Sequence, residues 1–251
     1  MESIRDSIKR TIAKESARTV DSKCVIHKIN KILVAGTPVV YCPECVVEEQ
    51  SYSYEERKQK TRQEFINKRL HNSMMSPRFI TKRLDNYKAD NDGQKKALEM
   101  SRWFIDNLKE SPGMIFIGCP GTGKNHLACG IIHEIIERGN TALITTAMKI
   151  IRSIKDSWVD RTVKEGDILK LYIKPDLLVI DEVGVQFGSD TEKLYISEII
   201  NDRYEAVKPT ILMGNISIKE LIDELGDRPI DRFREGGKIV KFDWDSFRKG
   251  N

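Results

Sequence analysis

The pattern of apolar and polar residues in the second half of the chain predicts alternating strands and helices. Apolar runs at residues 113–118, 177–180 and 210–215 are short and bounded by turn residues, as buried strands are. Residues 126–138 follow the first run with helical periodicity and stop at Gly139. This pattern indicates an α/β fold in which helices flank a parallel sheet.

The first third of the chain has a different pattern. Residues 1–18 place three isoleucines at helical spacing and predict a short helix. Residues 31–41 contain two β-rich runs around a Gly-Thr-Pro turn at 36–38, which predicts a hairpin. Residues 48–72 predict a charged helix, which ends where residues 73–77 break the pattern. We therefore expect a small module and a helical linker before the α/β domain.

Charge divides the chain in a similar place. The 251 residues have a formal net charge of +4. Residues 1–84 contain 17 Lys and Arg against 10 Asp and Glu, and residues 85–251 contain 25 against 28. Most of the basic excess lies between Arg57 and Arg83, a segment that either contacts phosphates or is a solvated helix face and linker.

The composition also limits where the protein works. No apolar run approaches the ~20 residues that cross a bilayer, and the first residues lack the apolar stretch of a signal peptide. Five cysteines, an odd number, argue against a disulfide framework. We therefore expect a cytoplasmic protein without a membrane partner.

Two pairs of metal-ligating residues flank the predicted hairpin. Cys24 and His27 form one pair, and Cys42 and Cys45 form the other, each with two residues between. Thiolate sulfur and imidazole nitrogen are ligands of tetrahedral Zn²⁺, and the hairpin would bring the pairs together as in a zinc ribbon. Four protein ligands leave no position for water, so the predicted zinc is structural. The alternative is a chance grouping of unpaired cysteines and a surface histidine.

A glycine-rich loop joins the first buried strand to the helix that follows it. Strand, loop and helix together are the context that a phosphate-binding loop requires. Its backbone N–H groups turn towards phosphate oxygens, and the helix N-terminus adds partial positive charge. Lys124 would reach the β- and γ-phosphates of ATP. The residues of the predicted ATP/ADP site are Gly118, Cys119, Pro120, Gly121, Thr122, Gly123, Lys124, Asn125 and His126.

One position departs from the usual phosphate-binding loop. The lysine is normally followed by Ser or Thr, whose hydroxyl binds Mg²⁺. Asn125 occupies this position here. Its amide oxygen could bind the ion directly or through water, so nucleotide binding is expected and the magnesium role of Asn125 is left open.

Polar residues end the other two strands. Asp181 follows the second apolar run and would hold Mg²⁺, and Glu182 would orient and activate the water that attacks ATP. Asn215 ends the third run, where it would face the γ-phosphate or the water, or would cap the next helix. Arg228 and Arg232 are four residues apart, so on a helix they share a face and could complete a neighbouring ATP site or pair locally.

Four segments together resemble a known family. They are GCPGTGKNHLA at 118–128, LLVIDEVGVQ at 177–186, GDRPIDRFR at 226–234 and FDWDSFR at 242–248. Over roughly residues 80–251 the chain is similar to the DnaC-type replicative helicase loaders of bacteria and their phages, which are AAA+ ATPases. The Cys/His segment resembles the N-terminal part of phage and enterobacterial relatives.

The resemblance implies roles for particular residues. Residues 113–251 should form the AAA+ core. Arg232 lies at the family's arginine-finger position with Arg228 beside it. Asn215 matches the first sensor position, and Arg248 matches a second, sensor-like arginine that would touch the nucleotide.

The resemblance also implies a surface for single-stranded DNA. Residues 147–172 resemble the extra helical element of the initiator and loader clade, which faces single-stranded DNA in family members. Four basic residues of this element would serve such a surface: Lys149, Arg152, Lys155 and Arg161.

The implied function is ATP-dependent loading of a DnaB-type hexameric replicative helicase onto single-stranded DNA. Residues 1–50 would bind zinc and the helicase, residues 51–84 would be a basic helical linker, and residues 85–251 would be the ATPase domain. These domains would associate around the helicase ring, each completing the next ATP site. Slow, Mg²⁺-dependent hydrolysis would then release the loader.

Two other functions remain open at the level of sequence. One is a transposition regulator of the IstB type, which shares the architecture and coats duplex DNA. The other is a zinc-containing DNA-binding adaptor whose nucleotide site is vestigial, an interpretation that depends on Asn125 and the basic segment 57–83.

Overall fold

The computed structural model describes residues 17–34, 39–159, 162–184 and 189–247. The strands are β1 (Ala17–Lys23), β2 (Asn30–Val34), β3 (Val40–Tyr41), β4 (Gly113–Gly118), β5 (Ala142–Thr146), β6 (Leu177–Asp181), β7 (Thr210–Gly214) and β8 (Lys238–Phe242). The helices are α1 (Pro43–Asn72), α2 (Asp92–Asp106), α3 (Lys124–Glu137), α4 (Ala147–Val159), α5 (Glu165–Ile173), α6 (Asp190–Glu205), α7 (Ile218–Leu225) and α8 (Asp227–Arg234).

Four expectations fall on residues outside these ranges. They concern the predicted helix up to residue 16, the turn at 36–38, Arg161 and Arg248. The described chain divides into two compact units, one up to Phe65 and one from Ile66.

The first unit contains a three-stranded antiparallel sheet in the order β1-β2-β3. Leu33 of β2 lies opposite Val40 of β3, which confirms the predicted hairpin. The helix predicted for residues 1–18 is wrong at its C-terminal end. Ala17 and Arg18 belong to β1, because β1 pairs with the open edge of β2 and places Arg18 opposite Leu33.

Helix α1 begins five residues before the predicted start. Pro43 is favourable at the beginning of a helix, where its missing N–H leaves no hydrogen bond unmade. Glu44 in the first turn complements the positive end of the helix dipole. Neither this 30-residue helix nor any other helix of the described ranges is long and apolar enough to span a membrane.

The second unit is built on a five-stranded parallel sheet in the order β5-β6-β7-β4-β8. Strand β7 lies between β4 and β6, with Leu212 opposite both Ile115 and Ile180. The three predicted buried strands are therefore adjacent and parallel, and the predicted α/β fold is confirmed.

Helices cover both faces of this sheet. Successive residues of a strand point to opposite faces. Met114 and Phe116 of β4 accordingly pack with α2 and α3, whereas Ile115 and Ile117 pack with α4, α6, α7 and α8. Each face buries its own apolar cluster, so the sheet is the middle layer of three.

A buried arginine ties together loops at the amino ends of the strands. Arg203 of α6 is fully buried, and burial lowers the pKa of its guanidinium to about 9, which leaves it charged at neutral pH. Its Nε donates to Thr210 Oγ1 at 3.0 Å. Its other nitrogens donate to the backbone carbonyls of Tyr172, Ile173, Pro175 and Pro209.

We predict that Arg203→Met lowers the free energy of unfolding by about 3 kcal/mol or more, because several buried acceptors lose their donor at once. Urea denaturation checks this. Arg102→Met is the matched control, since Arg102 is exposed and pairs with exposed Asp85, and it should change stability by less than about 0.5 kcal/mol. Equal urea midpoints for the two variants would contradict the assigned role.

Candidate nucleotide site and metal centre

The phosphate-binding loop connects β4 to α3 at the carboxyl edge of the parallel sheet. Two of its glycines are required by geometry. Gly118 has φ +123°, and a Cβ there would lie 2.3 Å from the Phe242 carbonyl oxygen. Gly123 has φ +96°, and a Cβ there would lie 2.9 Å from the Tyr87 ring. Larger residues at these positions would force the loop away from its neighbours.

The loop lysine is buried at the start of α3. Lys124 Nζ donates to the carbonyl oxygens of Gly118 and Cys119, at 2.9 and 2.7 Å. These are two of the carbonyls of the loop itself, so the ammonium group lies against the phosphate-binding loop. A cation at this place next to a helix N-terminus favours phosphate binding.

Asn125 contacts the acidic strand directly. Its Nδ2 donates to Asp181 Oδ2 at 2.8 Å, and the backbone N–H of Glu182 donates to Asp181 Oδ1 at 2.8 Å. The carboxylate is thus held from both sides. Carboxylate and amide oxygens are the ligands that Mg²⁺ prefers, so the donor set of Asn125 and Asp181 fits this ion.

Glu182 is exposed and has a left-handed backbone conformation, with φ +57°. A non-glycine residue in this region costs energy and is found where the side chain must point in a particular direction. Asn215 follows β7, the neighbouring strand, and lines the same cavity as Glu182. The structure therefore brings the predicted base and the predicted sensor together.

These residues surround a cavity of about 610 Å³, large enough for a nucleotide. Pro120, Gly121, Gly123, Lys124, Asn125, His126, Asp181, Glu182 and Asn215 are the predicted site residues that line it. The other lining residues were not predicted as part of this site: Arg78, Phe79, Lys82, Asn86, Tyr87, Lys88 and Phe247. Residues 78–84 were interpreted from their charge as part of the linker and residues 85–88 as part of the ATPase domain, and no local pattern marks either stretch as part of a pocket.

Tyr87 is the most buried of these unpredicted residues. Only 7% of the residue is exposed, and burial raises the pKa of its hydroxyl to about 12. The hydroxyl oxygen is buried and has no hydrogen-bond partner within the described part of the chain. His126 packs edge-on against the Tyr87 ring, and its Nε2 contacts the Arg83 carbonyl and Asn86 Oδ1. His126 thus contacts segment 78–88.

Neither predicted finger arginine is among the described residues that line this cavity. Arg228 is exposed on α8. The Arg232 guanidinium carbon lies 4.3 Å from the centre of the Tyr204 ring, a cation–π contact.

The basic residues of α4 are all exposed but differ in pairing. Lys149 and Arg152 are exposed on α4. Lys155 pairs with Glu192 at 2.5 Å. A positive surface on α4 therefore depends mainly on Lys149 and Arg152.

The first unit brings together the four predicted metal ligands. Their ligand atoms all lie within 4.8 Å of one another. The Cys24 and Cys45 sulfurs are 3.7 Å apart, and His27 Nδ1 lies 3.5 Å from the Cys42 sulfur and 3.3 Å from that of Cys45. Zinc bond lengths place the corners of a ligand tetrahedron about 3.5 to 3.8 Å apart, so the cluster has the size that Zn²⁺ needs.

The surroundings of the cluster also suit a metal. The His27 amide lies 3.5 Å from the Cys24 sulfur and is the main cause that lowers the pKa of that thiol to about 6. His27 Nε2 lies 3.1 Å from Glu48 Oε1, which orients Nδ1 towards the sulfurs. Glu48 was not predicted to take part. The signal that could have predicted its role is its position on α1, one helical turn after the ligand Cys45.

Comparisons with known proteins agree with this geometry. Residues 45–251 match the family described as IstB-like ATP binding protein. The chain is 39% identical to the replicative helicase loader DnaC of Escherichia coli K12 over 166 residues, which are 65% of this chain and 68% of that protein.

Solved structures are similar as well. A crystal structure of the DnaC helicase loader superposes with a TM-score of 0.60 at 28% identity, covering 66% of this chain and 99% of that one. The replication initiator DnaA bound to AMPPCP and single-stranded DNA superposes with a TM-score of 0.59 at 27% identity, covering 68% of this chain and 52% of that one.

The fold and the cavity define an ATP-binding protein of the AAA+ class. The chain belongs to the family of IstB-like ATP binding proteins and DnaC-type helicase loaders. This result confirms the resemblance inferred from sequence.

We predict that the purified protein contains about one zinc per chain and that Cys42→Ser lowers this to less than about half an equivalent, because three ligands hold the metal poorly. Elemental analysis measures the metal, and limited proteolysis of residues 17–65 reports on folding. Cys119→Ser is the control, since Cys119 is exposed and lies outside the cluster. Equal zinc in both variants would contradict the site.

We predict that Asn125→Leu weakens the Mg²⁺-dependent part of ATP affinity by about tenfold, because Asp181 loses its donor and the site loses an oxygen ligand. Titration of the protein with a fluorescent ATP analogue, once in the presence of Mg²⁺ and once in the presence of a chelator, measures the Mg²⁺-dependent part of the affinity. Asn125→Thr restores the usual hydroxyl and should keep the dependence. If Asn125→Leu responds to Mg²⁺ like the unmodified protein, the contact with Asp181 has no role in metal binding.

Proposed function

We propose that this protein is an ATP-dependent loader of a DnaB-type hexameric replicative helicase onto single-stranded DNA. One observation carries most weight: the residues proposed to bind ATP and to activate water line one cavity in a chain 39% identical to a DnaC helicase loader. The helicase-loader relative supports the helicase as a partner, and the initiator structure bound to single-stranded DNA supports DNA as a partner. Both of these proteins have the same fold as this chain.

The proposed chemistry uses residues at the carboxyl edge of the sheet. The loop N–H groups and Lys124 bind the phosphates, and Asn125 and Asp181 hold Mg²⁺, which would neutralise charge on the β- and γ-phosphates. Glu182 orients the attacking water and accepts its proton. Asn215 fixes the same water or the γ-phosphate. Segment 78–88 lines one side of the cavity.

Other residues would act between subunits. We assign Arg232, with Arg228 beside it, to the ATP site of the next loader around the helicase ring, which would require self-association. Without the arginine finger of a neighbouring subunit, an ATP site that contains only its base Glu182 would hydrolyse ATP slowly. Hydrolysis would therefore depend on assembly. Arg248 would complete the nucleotide site in the same chain. Slow, regulatory turnover fits a protein that uses ATP to time an assembly step.

The proposed division of labour follows the chain. Residues 1–50 form the zinc-binding, helicase-interacting module, residues 51–84 the basic linker, and residues 85–251 the ATPase domain. Lys149 and Arg152 on α4 offer positive charge to single-stranded DNA. The adaptor with a vestigial site is less well supported, because the predicted base Glu182 and the Asn125–Asp181 pair line the same cavity as the phosphate-binding loop.

We predict that Lys124→Ala abolishes nucleotide-dependent helicase loading, whereas Glu182→Gln binds ATP and hydrolyses it at least about 100-fold more slowly. The loss of Lys124 removes the cation at the phosphates, and the amide introduced by Glu182→Gln cannot accept the proton. ATPase assays with and without single-stranded DNA, and a loading assay with the partner helicase, measure both effects. Lys170→Ala is the control, since Lys170 is exposed and pairs with Asp167.

The same assays separate the alternatives. Loading by Lys124→Ala at the level of the control would refute the proposal. No ATP hydrolysis by the unmodified protein, together with intact DNA binding, would favour the adaptor. Filaments on duplex DNA would favour the transposition regulator.

A further inference from the structure

The segment that follows β8 runs alongside the phosphate-binding loop. Strands β4 and β8 are parallel neighbours, and Gly118 lies opposite Phe242 at their carboxyl ends. The loop after Gly118 and the segment after Phe242 therefore leave the sheet side by side. Residues 242–247, called the clamp segment here, contain the sequence FDWDSF, which the proposed chemistry does not use.

Three hydrogen bonds join the clamp segment to the loop. The Cys119 N–H donates to the Phe242 carbonyl at 2.8 Å. The Phe247 N–H donates to the Gly121 carbonyl at 3.0 Å, and Trp244 Nε1 donates to the Thr122 carbonyl at 3.0 Å. The last two hold loop carbonyls, which must point outwards if the loop N–H groups are to face phosphate.

Aromatic contacts support the same arrangement. A Cβ at Gly123 would lie 2.9 Å from the Tyr87 ring and 3.4 Å from the Phe247 ring, so this glycine lies between the two. The ring centres of Tyr87 and Phe247 are 6.3 Å apart. Phe247 is 45% exposed and lines the nucleotide cavity, so a side chain of the clamp segment is in reach of the ligand.

Trp244 is anchored on its other side. Its ring packs on Phe242 with centres 4.9 Å apart. A Cβ at Gly93, near the start of α2, would lie 2.9 Å from Trp244 Cε3, so only glycine leaves room for this ring. The indole is thus fixed between the sheet and α2, and its N–H is aimed at the loop.

We propose that the clamp segment holds the phosphate-binding loop in its nucleotide-binding shape, with Trp244 and Phe247 as positioning residues. Phosphate bound to the loop N–H groups polarises the peptide units whose carbonyls accept from Phe247 and Trp244, so these hydrogen bonds respond to occupancy of the site. The inference rests on the proposed ATP binding and adds the residues that shape the loop and respond to its occupancy.

The first experiment measures affinity of the full-length protein for a fluorescent ATP analogue with Mg²⁺. Trp244→Phe keeps an aromatic ring but loses the N–H donor, so binding should weaken about fivefold. Phe247→Leu tests the second positioning residue at an exposed site and should weaken binding by a similar factor. Trp158→Phe is the matched control, since Trp158 is exposed on α4 and does not line the cavity. Thermal unfolding without nucleotide should give similar midpoints for Phe247→Leu and the control.

The second experiment follows Trp244 itself. The chain has three tryptophans, so the double variant Trp103→Phe, Trp158→Phe leaves Trp244 as the only indole. Addition of ATP with Mg²⁺ should shift its emission, because its hydrogen-bond acceptor belongs to the loop that binds phosphate. A purely structural tryptophan would give no such shift.

The outcomes separate the two proposals. If the unmodified protein binds no nucleotide, the proposed ATP site and the clamp both fail. If it binds nucleotide but Trp244→Phe and Phe247→Leu bind as tightly as Trp158→Phe, only the clamp is refuted. Weaker binding in both variants together with the emission shift supports it, and an unchanged Trp244 emission refutes the response to occupancy.

Discussion

The parallel pairing of β4 with β7 on one side and β8 on the other is the constraint on which the rest of the site depends. Gly118 lies opposite Phe242, and Ile117 lies opposite Gly214, so three strands end at the same level. The segments that follow these strands therefore lie at one edge of the sheet. They are the phosphate-binding loop, the polar residue after β7 and the clamp segment. Strand β6, next to β7, adds the acidic pair. Helix α3 then points its N-terminus at the same place.

Sequence alone was sufficient where the signal is local. The strand, loop and helix around Lys124 are consecutive, and the ligand pairs at the N-terminus have diagnostic spacing, so both could be predicted. Sequence was insufficient where distant segments meet. Phe247 lines the cavity because β8 pairs beside β4, and segment 78–88 lines it because this segment packs against α3, where His126 Nε2 contacts the Arg83 carbonyl. The early start of α1 was missed because Cys42 and Cys45 were interpreted as a metal-binding turn, whereas residues from Pro43 onwards are already helical. The Asn125–Asp181 hydrogen bond joins residues whose spatial proximity only the strand order fixes.

The two units are stabilised in different ways. In the described part of the first unit, the buried apolar residues are Cys24, Cys42 and Val47, two of which belong to the metal cluster. So small a core cannot offset the entropy of folding, and a metal bound by this cluster would supply what packing does not. The second unit buries an apolar cluster on each face of its sheet. Loss of metal and loss of nucleotide should therefore affect different parts of the chain, and the protein can respond to each separately.

Arg203 makes the amino ends of the parallel strands more constrained than their carboxyl ends. At the amino ends of the strands, one buried cation ties the backbone of several loops together. Those loops cannot change length without leaving a charge unpaired in the interior. At the carboxyl ends, Glu182, Asn215 and Phe247 are exposed and face a cavity. Substitutions can accumulate there without disturbing the anchor. A lineage of such proteins can thus exchange ligands and partners at one end while the other end preserves the fold.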